Sequence, residues 1–123
     1  MMTNLERRRI ERRSFSYYMP VSDFATSQQA GVMTDISPGG FKLDSRQPIP
    51  AGKVNRFRLN LTSDLAPRAF LVFSGRSKWC QPDTLYPSIY NIGFEITNIS
   101  PEDKPIFQRI FEQYGSQQAV GEL

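Results

Sequence analysis

From Phe15 to Thr97 the chain is a succession of short stretches in which apolar and polar residues alternate, each stretch closed by Pro, Gly, Asn, Asp or Ser. Side chains along a strand point to opposite faces in turn, so each stretch reads as a strand with one face buried. Many such strands joined by tight turns predict a small antiparallel barrel or sandwich. The aromatic-rich "FSYYMPVSDF" (Phe15 to Phe24) opens the series. In "QQAGVMTDIS", Ala30, Val32, Thr34 and Ile36 share one side, and Met33, Asp35 and Ser37 the other. The "SPGG" that follows sets Pro38 and Gly39 where a type II turn wants a fixed φ and then a positive one. Next, Phe41 and Leu43 alternate with Lys42 and Asp44, and Phe57, Leu59 and Leu61 alternate with Arg56, Arg58 and Asn60. "RAFLVFSGRSKWCQ" is a longer strand, and in "IYNIGFEIT" Tyr90, Ile92, Phe94 and Ile96 alternate with Asn91, Gly93 and Glu95.

The period changes after Ser100. Ile106, Phe107, Ile110, Phe111 and Tyr114 recur at helical spacing, which predicts one amphipathic helix whose apolar face covers an open end of the barrel. Ser100 is placed to cap its entry, although Pro105 moves the expected start towards Asp103. "GSQQAVGEL" lacks a periodic apolar face and reads as a flexible tail. The expected organisation is a basic arm over 1–14, a barrel with its C-terminal helix over 15–115, and a tail over 116–123.

Composition narrows the function. A chain of 123 residues with 39% hydrophobic content has room for one core. Its apolar runs fall short of the ~20 residues that cross a bilayer, and the basic N-terminus lacks the apolar stretch of a secretory signal, so a cytoplasmic protein without a membrane is expected. Cys80 is the only cysteine and there is no His, which removes a thiolate-cluster metal site and the commonest general base. Asp35, Asp44 and Glu95 are candidates for carboxylate chemistry by exclusion alone. Binding, without catalysis or a metal, is the default reading.

What it binds is suggested by "ERRRIERR". Glu6 to Arg13 hold five Arg against two Glu, a balance of +3 that equals the net charge of the whole chain. The remaining residues therefore sum to zero. Five guanidiniums within seven positions repel one another and call for an anion. A nucleic-acid binder extends its basic footprint over the fold, so the neutral remainder argues for a small anion instead. Arg makes bidentate contacts to phosphate and to guanine O6 and N7, and a carboxylate accepts from the N1–H and N2 amine of guanine. An Arg cluster with Asp35 and Ser37 therefore suits guanine plus phosphate, the competing reading being that Asp35 and Ser37 cap the turn.

Two motifs carry a resemblance. "RRIER" matches R-x-x-x-R at Arg8 and Arg12, and "DISPGG" matches D-x-S-x-x-G at Asp35, Ser37 and Gly40. In this order and separation they resemble the PilZ-domain family, and "SKWCQ", "YNIGFEI" and the helix after "SPED" extend the likeness over nearly the whole chain. The resemblance implies a six-stranded antiparallel β-barrel with a C-terminal α-helix that binds the bacterial messenger cyclic di-GMP. It assigns Arg8 and Arg12 to the phosphates and the guanine Hoogsteen edge, with Arg9 and Arg13 satisfying the same spacing in an alternative register. It assigns Asp35 and Ser37 to a guanine on the outside of the barrel, with Gly39 and Gly40 at the turn that lets backbone approach. Family members with an extra Arg at the position of Arg7 hold an intercalated pair of ligands, which implies two per protomer.

Trp79 is a further candidate, either stacking on a purine, worth ~1–3 kcal/mol, or filling the core. Gly93 marks a bulge or a close approach by another group. The implied role is a receptor or adaptor in motility or exopolysaccharide regulation, its arm clamped by ligand so that a protein partner responds. Two alternatives remain: an interaction module of the same fold that does not use the ligand, and a small nucleic-acid-binding barrel, to which Arg56, Arg58, Arg76 and Lys78 lend support.

Overall fold

The computed structural model describes residues 13–14 and 19–114, apart from the side chains of residues 13, 14 and 114. The strands are β1 (Arg13–Ser14), β2 (Pro20–Asp23), β3 (Gln29–Ser37), β4 (Gly40–Ser45), β5 (Val54–Asn60), β6 (Phe70–Pro82) and β7 (Tyr90–Ile99), followed by the helix α1 (Lys104–Tyr114). The order β3-β2-β5-β6-β7-β4 returns to β3 through a β3–β4 pairing, and every pairing is antiparallel. Six strands thus close into a barrel, which leaves no open edge among them. The two residues of β1 extend the edge of β3 that β2 occupies further back, Arg13 opposite Ile36 and Ser14 opposite Asp35. This is the mainly β architecture, barrel plus C-terminal helix, that the sequence implies.

The alternation of β4, β5 and β7 holds. Phe41, Leu43, Phe57, Leu59, Ile92 and Phe94 are buried, while their polar neighbours face out. Four strands each send a phenyl ring to the centre. Phe41 stacks on Phe94 at 5.0 Å between ring centres and meets Phe57 and Phe73 edge-on at 5.8 and 5.3 Å. Phe57 meets Phe94 edge-on at 5.2 Å, the geometry that ring quadrupoles favour.

In β3 the expected faces are only half right. Ile36 is buried and Asp35 and Ser37 are on the outer side, but Met33 is fully buried and Val32 is not. The reason is a β-bulge: Met33 pairs with Leu43 and Asp35 with Lys42, so Thr34 is an extra residue and inverts the alternation beyond it. The type II turn is also absent. Among the described residues positive φ occurs at Ser27 and Gly52, not at Gly39. Glycine is demanded at Gly40 for a different reason, since a Cβ there would collide with the backbone oxygen of Phe94 on β7.

Helix α1 starts where Pro105 requires. Ser100 contributes its carbonyl, which accepts the N–H groups of Asp103 and Lys104 at 3.0 and 3.1 Å, and the Asp103 carbonyl accepts that of Phe107 at 3.0 Å. Pro105 falls within the first turn, where an N–H has no intrahelical acceptor to lose. The buried Asp103 carboxylate pairs with Arg68, and Arg109 donates to the Leu65 carbonyl, so the β5–β6 loop holds the start and the middle of the helix. Ile106, Phe107 and Ile110 join the barrel core, Phe107 meeting Phe73 at 5.8 Å. The aromatic stretch 15–18, the Tyr114 side chain and the tail 116–123 lie outside what is described.

Because Phe41 touches rings from three other strands, Phe41→Ala is expected to cost about 3–5 kcal/mol, against less than ~1.5 for a better volume match such as Leu59→Met. Urea unfolding followed by circular dichroism measures both; similar losses for the two variants would deny the ring cluster its central role.

Candidate functional site

Strand register places the motif residues in transverse rows on the outer surface. Ser14 lies opposite Asp35, Asp35 opposite Lys42, Lys42 opposite Gly93, and Gly93 opposite Trp79. One row thus crosses β1, β3, β4, β7 and β6. From Asp35 to Trp79 it spans three interstrand steps, about 14 Å along the surface. The neighbouring inward row, Ile36, Phe41 and Phe94, is buried, which fixes the site row as external. The next outward row holds Ser37, Gly40, Glu95 and Arg76.

Both ends of the site row depend on bulges. Thr34 turns Asp35 outward, as described. On β6, Ser77 pairs with Phe94 and Trp79 with Gly93, leaving Lys78 as the extra residue. Ser77 is buried and points inward, and in a regular strand the indole two residues on would do the same; the bulge at Lys78 reverses it. Instead Trp79 is half-buried on the outside, over Gly93, so closely that a Cβ on Gly93 would overlap the indole. That answers both open questions: Trp79 is not core, and Gly93 marks a close approach, with the bulge in the strand beside it.

Asp35 is half-buried, its Oδ1 accepting the Ile36 N–H at 2.9 Å, which holds the carboxylate against its own strand. The Ser37 hydroxyl is 3.4 Å from the Gly40 carbonyl, and the Gly39 carbonyl at the hairpin tip accepts the Ile96 N–H at 2.9 Å. The tip is therefore tied to β7. Among the sequence candidates, the structure brings Asp35, Gly93 and Trp79 into one row, with Ser37, Gly39 and Gly40 beside it. Arg7, Arg8, Arg9 and Arg12 lie outside the described residues; Arg13 is described by its backbone pairing alone.

Lys42, at the middle of the row, was not among the candidates. Its alternation with Phe41 and Leu43 marks it as outward, but nothing in a single strand shows that it stands between Asp35 and Gly93. Beyond it, Asn91 donates to Asp44 Oδ1 at 2.9 Å and the Thr34 hydroxyl lies 3.4 Å from the same oxygen. Asp83 is held below the usual carboxylate range first by the backbone N–H groups of Leu85 and Tyr86, then by the Asn91 side chain and the Lys42 charge. A hollow of about 990 Å³, lined by Val32, Thr34, Asp44, Arg46, Asp83 and Tyr86 among others, adjoins the row without containing Asp35 or Trp79. Among the described residues no group of three His, Cys, Asp or Glu is placed to hold a metal, and no helix is long and apolar enough to cross a membrane.

The barrel recurs in solved structures. An inhibitor of motility from Bacillus subtilis (MotI/DgrA) superposes with a TM-score of 0.67 at 12% identity, over 84% of this chain and 49% of that one. The PilZ domain of YcgR from Escherichia coli with c-di-GMP gives 0.58 at 17% identity, over 84% and 87%. MrkH of K. pneumonia in its c-di-GMP complex gives 0.59 at 16%, over 80% and 48%. The chain thus spans about half the length of MotI and of MrkH, and identities this low speak for the fold alone. A search of curated protein sequences returned no match. The model of the PilZ domain matches residues 6–113, from the start of the Arg-rich arm to the last turn of α1. By that match, which takes in both motifs and the strands that align them, this chain belongs to the PilZ domain family.

Proposed function

We propose that this protein is a cyclic di-GMP receptor without catalysis, which holds the ligand between its Arg-rich arm and the outer row of the barrel and so signals to a protein partner. The observation that carries the reading is the register: β1, the root of the arm, pairs beside Asp35, in line with Lys42, Gly93 and Trp79. The two c-di-GMP complexes among the structural neighbours support the ligand.

In this reading Arg8 and Arg12 take the phosphates and a guanine Hoogsteen edge, with Arg9 and Arg13 as their neighbours in the arm. Asp35 accepts from guanine N1–H and N2, Ser37 supports it, and the Gly39–Gly40 tip admits the ligand backbone. Trp79 stacks on a second purine. Lys42, a flexible cation between the two ends of the row, neutralises a phosphate. Arg7 adds a charge suited to the doubled phosphates of an intercalated pair, hence two ligands per protomer. Closure of the arm buries cations and remakes that face of the barrel, a change that a partner preferring one state reads out. The reading sets the protein in the cytoplasm, with no metal, membrane or nucleic acid involved.

Isothermal titration calorimetry with cyclic di-GMP is expected to give micromolar or tighter binding, and Arg8→Ala/Arg12→Ala to abolish it, with GTP silent in both. No heat from the unaltered protein would remove the receptor reading. The same titration is expected to return two ligands per protomer, falling to one in Arg7→Ala; a stoichiometry of one before mutation would count against the pair. Trp79 is the only tryptophan, so its emission reports on the row. Ligand is expected to quench it, and Gly93→Ala, by displacing the indole, to weaken affinity about tenfold, in keeping with a stacking contribution of ~1–3 kcal/mol. Emission that ignores saturating ligand would exclude Trp79 from the site.

A further inference from the structure

The outward face of β5 and β6, on the side of Trp79 away from Asp35, carries a second concentration of charge. Arg56 and Arg58 stand two residues apart on β5, and Arg76 pairs across from Val54, one step further along the same line. Neither strand contains an acidic residue. Lys78 has Glu95 at 4.0 Å and Arg76 stands directly opposite the same residue, which leaves Arg56 and Arg58 as the body of the patch. Each β5 guanidinium is laid over a phenyl ring, Arg56 at 4.4 Å from the centre of Phe24 and Arg58 at 5.3 Å from that of Phe70. Stacking restrains a guanidinium while leaving its N–H edge directed outward, where a planar acid meets it bidentately. Phe24, Phe70 and Val54 are themselves partly exposed, which adds apolar surface beside the guanidiniums.

The geometry points to a docking surface for an acidic α-helix of a protein partner. Alternate residues along β5 repeat every ~6.7 Å, and acidic residues four apart on a helix repeat every ~6 Å, so one helix lying along β5 presents a carboxylate to each arginine in turn. The exposed Phe24, Phe70 and Val54 then meet apolar residues beside those carboxylates. Nucleic acid suits the surface less well. One face of each phenyl ring is already taken by an arginine, and outside the arm the chain is charge-neutral, so the patch lacks the extended field that tracks a phosphate backbone. The inference goes beyond ligand binding and does not rest on it.

The test uses the full chain and a fluorescein-labelled helical peptide of about 20 residues with Glu at every fourth position flanked by Leu, read by anisotropy. A peptide with Lys in place of Glu and a single-stranded RNA of about 20 nucleotides are the controls. The acidic peptide is expected to bind, and its affinity to fall at least tenfold in Arg56→Glu/Arg58→Glu and again at raised salt. The thermal melt and the calorimetric response to cyclic di-GMP are expected to be unchanged by that variant, which separates this surface from the ligand site. Peptide binding that is undetectable, or indifferent to the charge reversal, overturns the inference, as does RNA binding more tightly than the peptide through the same arginines. A protein that ignores cyclic di-GMP yet holds the acidic peptide through Arg56 and Arg58 would sink the receptor reading and leave this one standing.

Discussion

The four phenyl rings at the centre of the barrel decide which way the residues beside them must face. Phe41, Phe57, Phe73 and Phe94 come one each from β4, β5, β6 and β7. Once a ring is drawn inward, its neighbours on either side are committed outward by the pleat. On β4 those neighbours are Gly40 and Lys42; on β7 they are Gly93 and Glu95. The proposed binding surface is thus the reverse side of the core. Packing energy, and not any interaction among the site residues, holds Lys42 beside Gly93 and Gly40 hard against β7.

This dependence explains which parts of the molecule were legible in the sequence. Strands β4, β5 and β7 keep an unbroken alternation through their cores, and their faces follow from residue order. The two motifs are contiguous and could be matched directly. The bulges at Thr34 and Lys78 are another matter, because a bulge is a property of two paired strands and leaves no composition signal in one. Reading β3 as regular put Met33 outside and Val32 inside, and the burial tendency of a large aromatic left the core open to Trp79, because the bulge that turns it out is invisible in β6 alone. The turn failed for a related reason. Pro-Gly suits a type II turn locally, but the requirement for glycine comes from the approach of β7, more than fifty residues along the chain. Lys42 was visible as an outward residue and invisible as the middle of a row.

In the proposed reading, the division of labour between barrel and arm follows from charge. The barrel contributes one carboxylate, one cation, an indole and close-approaching backbone, nearly neutral in sum, while the arm contributes most of the positive charge. A surface so balanced has little pull on a dianion by itself. The proposed recognition, which draws on both, selects a ligand with phosphates and bases in one compact body.

Trp79 and Gly93 have a consequence for how such a surface changes over time. The indole fills the volume that any other side chain at 93 would need, so the two positions are a single unit of size, one large and one absent. Substitutions there are not independent. A lineage that enlarges residue 93 first meets a clash with a ring pinned between bulge and barrel, whereas one that shrinks residue 79 first opens space that 93 is then free to fill. The order of the two steps is set by sterics, and a family descending from this chain should carry the pair as alternatives, large with small or small with large, and rarely large with large.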